Sequence, residues 1–170
     1  MLLYFISYGQ ARSSIGLGLS ANRPLSSDYK IGHGFDLQPN IRVSDKFAIV
    51  PELGFKKINS NGRFVYRNGY YYTTIQNLNT FYLGLGGKYY WNSRWFAGLM
   101  GNIHISGGNE DLISGGYGGN ATVGYDMPLD ARNNLEFSFR TDLMQLQDID
   151  DKLKPVLGLR VAYKFNFRKR

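Results

Sequence analysis

The 170-residue sequence contains no cysteine, which excludes a disulfide-stabilised scaffold, a thiolate metal site and a cysteine nucleophile. It also has no apolar run close to the ~20 residues that a membrane-spanning helix needs. Histidine is rare, with copies at His33 and His104, and there is no G-x-S-x-G, H-E-x-x-H or phosphate-cradling motif. These absences remove most routes to catalysis, so we expect no metal ion and no cofactor.

The longest apolar run is "MLLYFISYGQA" at the start of the chain. Its apolar centre extends from Leu2 to Ile6, and Gly9 and Ala11 stand at the spacing that signal peptidase reads. We therefore predict a truncated signal peptide over residues 1–11, cleaved after Ala11, in which the usual basic segment is missing. The alternative is that the run forms a first strand. An exported protein that still carries Met1 would contradict the signal peptide.

Glycine and aromatic residues are abundant. The chain has 21 glycines, 13 tyrosines and 11 phenylalanines, a composition that suits strands and turns. The sequence "LGLRVAYKFNF", residues 157–167, is apolar at every second position, which is the period of an extended strand with two different faces. Seven more runs alternate in the same way. They lie within residues 15–19, 35–43, 47–55, 75–89, 95–105, 117–127 and 135–143.

The connections between these runs alternate in length. "SDK", "WNSR" and "PLDARNN" are short, whereas "NRPLSSDYKIG", "INSNGRFVYRNGYYY", "SGGNEDLISG" and "QLQDIDDKLKP" are long. An even number of strands, with short turns at one end and long loops at the other, is typical of a bacterial outer-membrane barrel. We therefore predict an all-β protein, an eight-stranded antiparallel up-and-down transmembrane β-barrel, as one domain over residues 12–170.

The charged residues within the eight runs all lie on the face opposite the apolar series. On a lipid-facing surface an Arg or Lys near the midplane costs ~2 to 4 kcal/mol, whereas acids and bases inside a narrow barrel pair with each other. We expect these side chains to form a charge network in a packed polar lumen, without a wide pore. The residues are Arg12, Asp36, Arg42, Glu52, Lys56, Lys88, Asp126, Glu136, Arg140, Asp142, Arg160 and Lys164.

A water-soluble barrel of the lipocalin type is the main structural alternative, with its apolar residues around a ligand and its charges outside. Alternation alone does not distinguish the inside from the outside. Two features favour lipid: the apolar series are long and uncharged, and aromatic residues lie near the short turns. These aromatic residues are Phe47, Tyr89, Trp91, Trp95, Phe165 and Phe167.

The pattern after Ala11 resembles the small eight-stranded outer-membrane barrels, namely the OmpA transmembrane domain, OmpX and the porin-like outer membrane protein beta-barrel domain family. The last strand, "VLGLRVAYKFNF", is similar to the closing strand of that family, whose terminal aromatic is read by the barrel-assembly machinery. Here Phe167 is followed by residues 168–170, Arg-Lys-Arg, which departs from the terminal signal. The resemblance implies a monomer in the bacterial outer membrane, in contact with membrane lipid and lipopolysaccharide.

The loop sequence "NGRFVYRNGYYYTT" is the candidate binding segment. Tyrosine and arginine dominate the energetic centres of interfaces, so this composition favours binding of a surface protein or glycan. The alternative is that the tyrosines form the outer aromatic girdle while the arginines meet lipopolysaccharide phosphates. The residues concerned are Arg63, Phe64, Tyr66, Arg67, Tyr70, Tyr71 and Tyr72.

One short motif raises the question of enzyme activity. His104 and Ser106, followed by Glu110, are similar to the H-x-S motif and acid of the lipid A deacylase barrels. In that family the motif lies on a later strand with the acid further along, so we expect His104 to be a polar lumen group. The triad geometry sets the standard that a barrel hydrolase would have to meet.

The net charge of +7 is spread over the lumen, turns, loops and C-terminal tail. No face carries the basic stripe typical of a nucleic-acid-binding protein, so no nucleic acid is expected. We predict a non-enzymatic barrel that stiffens the envelope or presents loops to partners, with at most minor solute passage. A lipid A-modifying hydrolase and a soluble ligand-binding barrel remain the alternatives.

Overall fold

A computed structural model describes residues 13–62, 64–67, 71–74, 77–107, 114–145 and 153–167. Its strands are β1 Ser14–Pro24, β2 Gly32–Arg42, β3 Phe47–Ile58, β4 Phe64–Arg67, β5 Tyr71–Thr74, β6 Leu78–Tyr90, β7 Trp95–Gly107, β8 Ser114–Pro128, β9 Asn133–Gln145 and β10 Leu153–Asn166. Within these ranges no helix is both long and apolar enough to cross a membrane. The predicted signal peptide and Arg12 lie outside the described residues.

Eight of the strands close into one antiparallel barrel, in the order β1-β10-β9-β8-β7-β6-β3-β2. The first and last strands pair along their length, from Ser14 opposite Asn166 to Pro24 opposite Val156. Closure matters because an open strand edge in hydrocarbon would leave backbone groups without hydrogen-bond partners. The predicted all-β, eight-stranded, up-and-down barrel is therefore confirmed.

Strands β4 and β5 form a separate hairpin within the connection between β3 and β6. The sequence analysis treated this stretch as a loop and started the fourth barrel strand at Ile75. Barrel strand β6 instead begins at Leu78, because β4 and β5 use the residues before it for their own pairing. Phe64 pairs with Thr74, and Arg67 pairs with Tyr71.

The short turns are stabilised by their own side chains. In the turn between β8 and β9, the Asp130 carboxylate accepts hydrogen bonds from the Asn133 side chain at 2.7 Å and from the backbone N–H of Arg132 at 2.7 Å. These bonds, with that of Asn133 the strongest cause, lower the pKa of Asp130. In the turn between β6 and β7, Asn92 accepts from the backbone N–H of Trp95 at 2.7 Å. Asn and Asp favour turns because their side chains replace the missing backbone partners.

The long-loop end is held by backbone hydrogen bonds between segments distant in sequence. The Lys30 N–H donates to the Asn59 carbonyl at 2.7 Å, and the Asn61 N–H donates to the Asp28 carbonyl at 2.8 Å. Beneath these bonds, buried apolar side chains cover the loop end of the lumen. The cluster consists of Tyr29, Ile58, Leu78, Met144 and Val156.

The apolar series face outward and the charged series face inward. Leu83 and Val161 are 55% and 45% exposed, whereas Arg140 and Lys164 are 2% and 3% exposed. A soluble carrier with an apolar interior would show the reverse distribution. The greasy residues therefore form the outer surface of the barrel, where they contact hydrocarbon.

Aromatic side chains mark both limits of the apolar surface. At the short-turn end Trp91 stacks on Trp95 with ring centroids 6.3 Å apart, as part of the predicted girdle. At the loop end Phe55 lies 5.5 Å from Phe35 and 4.9 Å from Phe81, measured between centroids. The eight-residue step along β3 from Phe47 to Phe55 spans about 20 Å of the barrel axis, at ~3.3 Å per residue and ~40° tilt. This height suits the ~25 Å apolar band of membrane barrels.

Candidate functional site: the charge network of the barrel lumen

The inward positions of the barrel strands carry acidic and basic side chains in equal number. Each is no more than 5% exposed, because the barrel wall and the neighbouring side chains exclude solvent. Five acids and five bases make this set formally neutral. They are Asp36, Glu52, Lys56, Lys88, Asp126, Glu136, Arg140, Asp142, Arg160 and Lys164.

Glu136, on β9, is the centre of the network at the short-turn half of the lumen. Its carboxylate accepts hydrogen bonds from Lys88 Nζ at 2.7 Å, Lys164 Nζ at 3.1 Å and Arg160 Nη1. Arg160 also places its Nε and Nη2 on the Asp36 carboxylate, a two-pronged geometry that fits a guanidinium to a carboxylate. Lys164 has a second partner in Asp126, at 2.8 Å. Three cations from three strands therefore converge on one glutamate.

Glu52, on β3, is the corresponding centre in the loop half. It accepts from the Tyr82 hydroxyl at 2.7 Å and from Arg140 Nη1 at 2.8 Å. Arg140 also reaches Asp142 at 3.3 Å, and Asp142 lies 2.8 Å from Lys56 Nζ. The residues come from β3, β6 and β9, so the contacts tie opposite walls of the barrel together.

Gln38 joins the two halves. Its Nε2 donates to Glu52, and its Oε1 accepts from Lys88 Nζ at 2.7 Å. The chain of contacts therefore runs without a break from Lys56 to Asp126 through the membrane-spanning part of the lumen. Removing one member of a buried pair leaves an uncompensated charge and costs roughly 3–5 kcal/mol. The network thus makes each ionised group depend on the others.

Side chains fill the lumen across its width. A Cβ at Gly54 would overlap the Tyr82 phenol, and one at Gly18 would overlap Arg160, so both glycines make room for the network. A cavity of about 10 Å³ lies beside Lys56, Asn102 and His104, which is about the space for one water. Among the described residues, the interior therefore offers no wide passage.

Arg42 was assigned to the lumen network from its parity, and its placement differs. It is half-buried at the short-turn mouth, where its guanidinium lies 3.4 Å from the centroid of the Tyr90 ring. Its Nη1 donates to the Asp45 carbonyl at 3.0 Å rather than to a carboxylate. The mouth holds a cavity of about 510 Å³ with the Lys164–Asp126 pair in its wall. Arg42 therefore lines the mouth instead of sealing the lumen.

The predicted loop-binding residues fall on and around the hairpin. Phe64, Tyr66 and Arg67 lie in β4, whereas Tyr71 and Tyr72 lie in β5. Tyr66 is paired with Tyr72 in the hairpin register. Arg63 and Tyr70 fall outside the described residues. The strand pairing brings the two tyrosine- and arginine-rich halves of the segment together.

The hydrolase motif does not form a triad among the described residues. His104 and Ser106 are buried on the inner face of β7, at 5% and 2% exposure. The Ser106 hydroxyl lies 2.9 Å from the Thr80 hydroxyl, so its hydrogen-bond partner is another hydroxyl rather than a histidine. Glu110, the proposed acid, lies outside the described residues. No group of three or more potential ligands in the described part of the chain could hold a metal ion.

No protein-family model matches the sequence, and no curated protein matches it either. The fold does match solved structures. Neisserial surface protein A superimposes with a TM-score of 0.67 at 10% identity, covering 91% of this chain and 97% of that chain. The protein is an eight-stranded outer-membrane β-barrel.

Two further outer-membrane barrels are similar. OprG of Pseudomonas aeruginosa gives a TM-score of 0.60 at 8% identity, with 95% of this chain and 98% of that chain covered. Ail, the attachment invasion locus protein of Yersinia pestis, gives 0.52 at 12% identity, with 91% and 98% covered. At such low identity the likeness establishes the barrel fold. The bacterial outer membrane is the membrane in which this fold and its apolar outer surface belong.

Proposed function

We propose that this barrel is a non-enzymatic anchor in the outer membrane that presents its extracellular loops to a protein or glycan at the cell surface. The observation that carries the proposal is the continuous charge network, which ties opposite walls together and occupies the lumen. A plugged barrel is suited to holding loops in place rather than to passing solutes. We also propose kinship with the OmpA and OmpX barrels, supported by the strand number and the closing strand.

The connection between β3 and β6 is the proposed binding element. It extends over residues 59–77, longer than the 25–31 connection at the same end. Its base is tied to the barrel by a hydrogen bond from the Ser60 N–H to the Asn77 side chain at 2.8 Å. Hairpin pairing within it lowers the entropy that a flexible loop would lose on binding. This combination of anchored base and paired strands supports a preorganised contact surface.

The experiment replaces residues 62–74 with Gly-Ser and measures binding of whole cells to arrays of glycans and matrix proteins. We expect cells with the intact barrel to bind at least one class of surface and the replacement to lose most of that binding. The matched control replaces residues 146–152, another loop, and keeps it. Equal binding by the hairpin variant and the intact barrel would contradict the loop role. A sustained current through the purified barrel in planar bilayers would contradict the sealed lumen.

The assembly machinery is the second proposed partner. Phe167 is 51% exposed on the outer surface and contacts Phe165 edge-on at 5.9 Å between centroids. An exposed aromatic at the end of the closing strand is the feature that such machinery reads in the resembling family. The chain around Phe167 supports the same role here, with the barrel acting as a monomer.

A further inference from the structure

The outward-facing cations of the barrel strands are concentrated at the loop end of three neighbouring strands. Arg23 on β1 and Lys57 on β3 occupy outward positions, and Lys30 is exposed in the connection between β1 and β2. His33, on β2, lies directly opposite Lys57 in the register. The acids of β2 and β3, Asp36 and Glu52, both point into the lumen. Among the described residues, none of the three cations has a carboxylate within salt-bridge distance.

The register places these cations immediately above an aromatic row. Lys57 is level with His33 and Asn79, and one two-residue step towards the membrane centre brings Phe55, level with Phe35 and Phe81. A step of two residues along a strand is about 6.6 Å. The outer surface therefore changes from basic to aromatic within the depth of a lipid headgroup.

Leucines continue this surface below the aromatic row. Leu53 pairs with Leu37 and with Leu83, and Leu37 pairs with Leu17 on β1. Leu17, Leu53 and Leu83 are each more than half exposed. The order from the loop end inward is therefore cations, phenylalanines and leucines, which matches phosphate, upper acyl chain and lower acyl chain of a phosphorylated lipid.

The charge is uneven around the loop end. The connections after β7 and after β9 carry the acids of their sequences: Glu110 and Asp111 in one, and Asp148, Asp150 and Asp151 in the other. In the barrel order these connections lie across from β2, the centre of the basic strands. An anionic lipid is therefore favoured beside β1–β3 and disfavoured beside β8 and β9.

We propose that Arg23, Lys30, His33 and Lys57, with Phe35, Phe55 and Phe81 beneath them, bind the phosphorylated lipid A part of lipopolysaccharide in the outer leaflet. The cations contact the glucosamine phosphates, and the aromatic and leucine rows contact the acyl chains. Backbone bonds at Lys30 hold the loop part of this site in place. The site depends on the membrane orientation of the barrel and is independent of ligand binding by the hairpin loop.

The test measures lipid A binding by native mass spectrometry of the full-length protein in phosphatidylcholine nanodiscs, over a series of bisphosphorylated lipid A fractions. The variant is Arg23→Gln/Lys30→Gln/Lys57→Gln. We expect a loss of about fivefold for each removed cation and on the order of a hundredfold for all three. The matched control is Lys46→Gln/Arg94→Gln/Arg132→Gln, which removes three exposed cations from the short turns and should keep the original affinity. Heat-shifted gel migration shows that both variants are folded.

Further arms separate the sources of affinity. Lipid A without phosphates should bind the intact protein as weakly as bisphosphorylated lipid A binds the triple variant. Unchanged lipid A binding by the triple variant, or an equal loss in the control, would overturn the site. Displacement of lipid A by millimolar inorganic phosphate would overturn the role of the acyl chains. A protein lacking residues 62–74 should bind lipid A normally, which separates this site from the loop function.

Discussion

The two faces of one strand differ more than any two strands of the barrel. On β10, Arg160 is 3% exposed and holds two carboxylates, while its neighbour Val161 is 45% exposed on the outer surface. The inner face depends on specific partners, since each ion needs an opposite charge within hydrogen-bond distance. The outer face depends on polarity, since lipid accepts any apolar side chain. The comparison teaches that inner substitutions should act through pairing, and outer substitutions through charge.

The largest effect is expected at the inner face, with Glu136→Leu. The substitution removes the shared acceptor of Lys88, Arg160 and Lys164, so buried cations lose a counter-charge. We expect the free energy of unfolding to fall by roughly 3–5 kcal/mol or more. Urea unfolding in lipid vesicles, followed by the heat-shifted gel band, measures it. Glu136→Gln keeps the acceptor oxygen and should cost less. An unchanged midpoint for Glu136→Leu would show that the network adds no stability.

A smaller effect is expected at the outer face, with Leu83→Arg. Leu83 is 55% exposed near the middle of β6, so the cation would face hydrocarbon and cost ~2–4 kcal/mol. The same vesicle assay measures it, and Leu83→Phe is the control that keeps the polarity and should be nearly neutral. If Leu83→Phe were as damaging as Leu83→Arg, shape rather than charge would govern the outer face.

The smallest effect is expected outside both faces, in the turn between β8 and β9. Hydrogen bonds lower the pKa of Asp130, so its stabilising effect is present above the unfolded pKa and lost as pH falls through the folded pKa. Carboxyl-detected NMR should find Asp130 titrating below the ~3.9 of an unperturbed Asp. Asn133→Ala removes the strongest bond and should raise that value, with little change in barrel stability. A value at or above ~3.9 would show that the turn bonds do not form in solution.

The eight barrel strands could be predicted because alternation is a local property with a period of two residues. The hairpin of β4 and β5 was missed, although Asn68-Gly69 between two short aromatic runs is a common hairpin signal. The apolar cluster around Ile58 and Val156 was also missed. Those residues have inward parity, and nothing in a local pattern says that the lumen becomes apolar near its loop end.

The pairing inside the lumen depends on distant parts of the chain. Arg160 and Asp36 are 124 positions apart, and Arg140 and Glu52 are 88 apart. Parity indicated that these residues share a face, but which acid meets which base depends on the stagger of eight strands around a closed wall. Arg42 shows the limit, because it has the right parity and yet lies at the mouth on Tyr90.

Alternation along each strand, short turns at one end and long loops at the other are properties of neighbouring residues, and they were enough to specify a barrel with two chemically distinct faces. Partners in the charge network, the position of Arg42 and the basic surface above Phe55 required closure of the sheet. The physical reason is that register and curvature, which place residues from different strands at one level, come from pairing between strands and from no single segment.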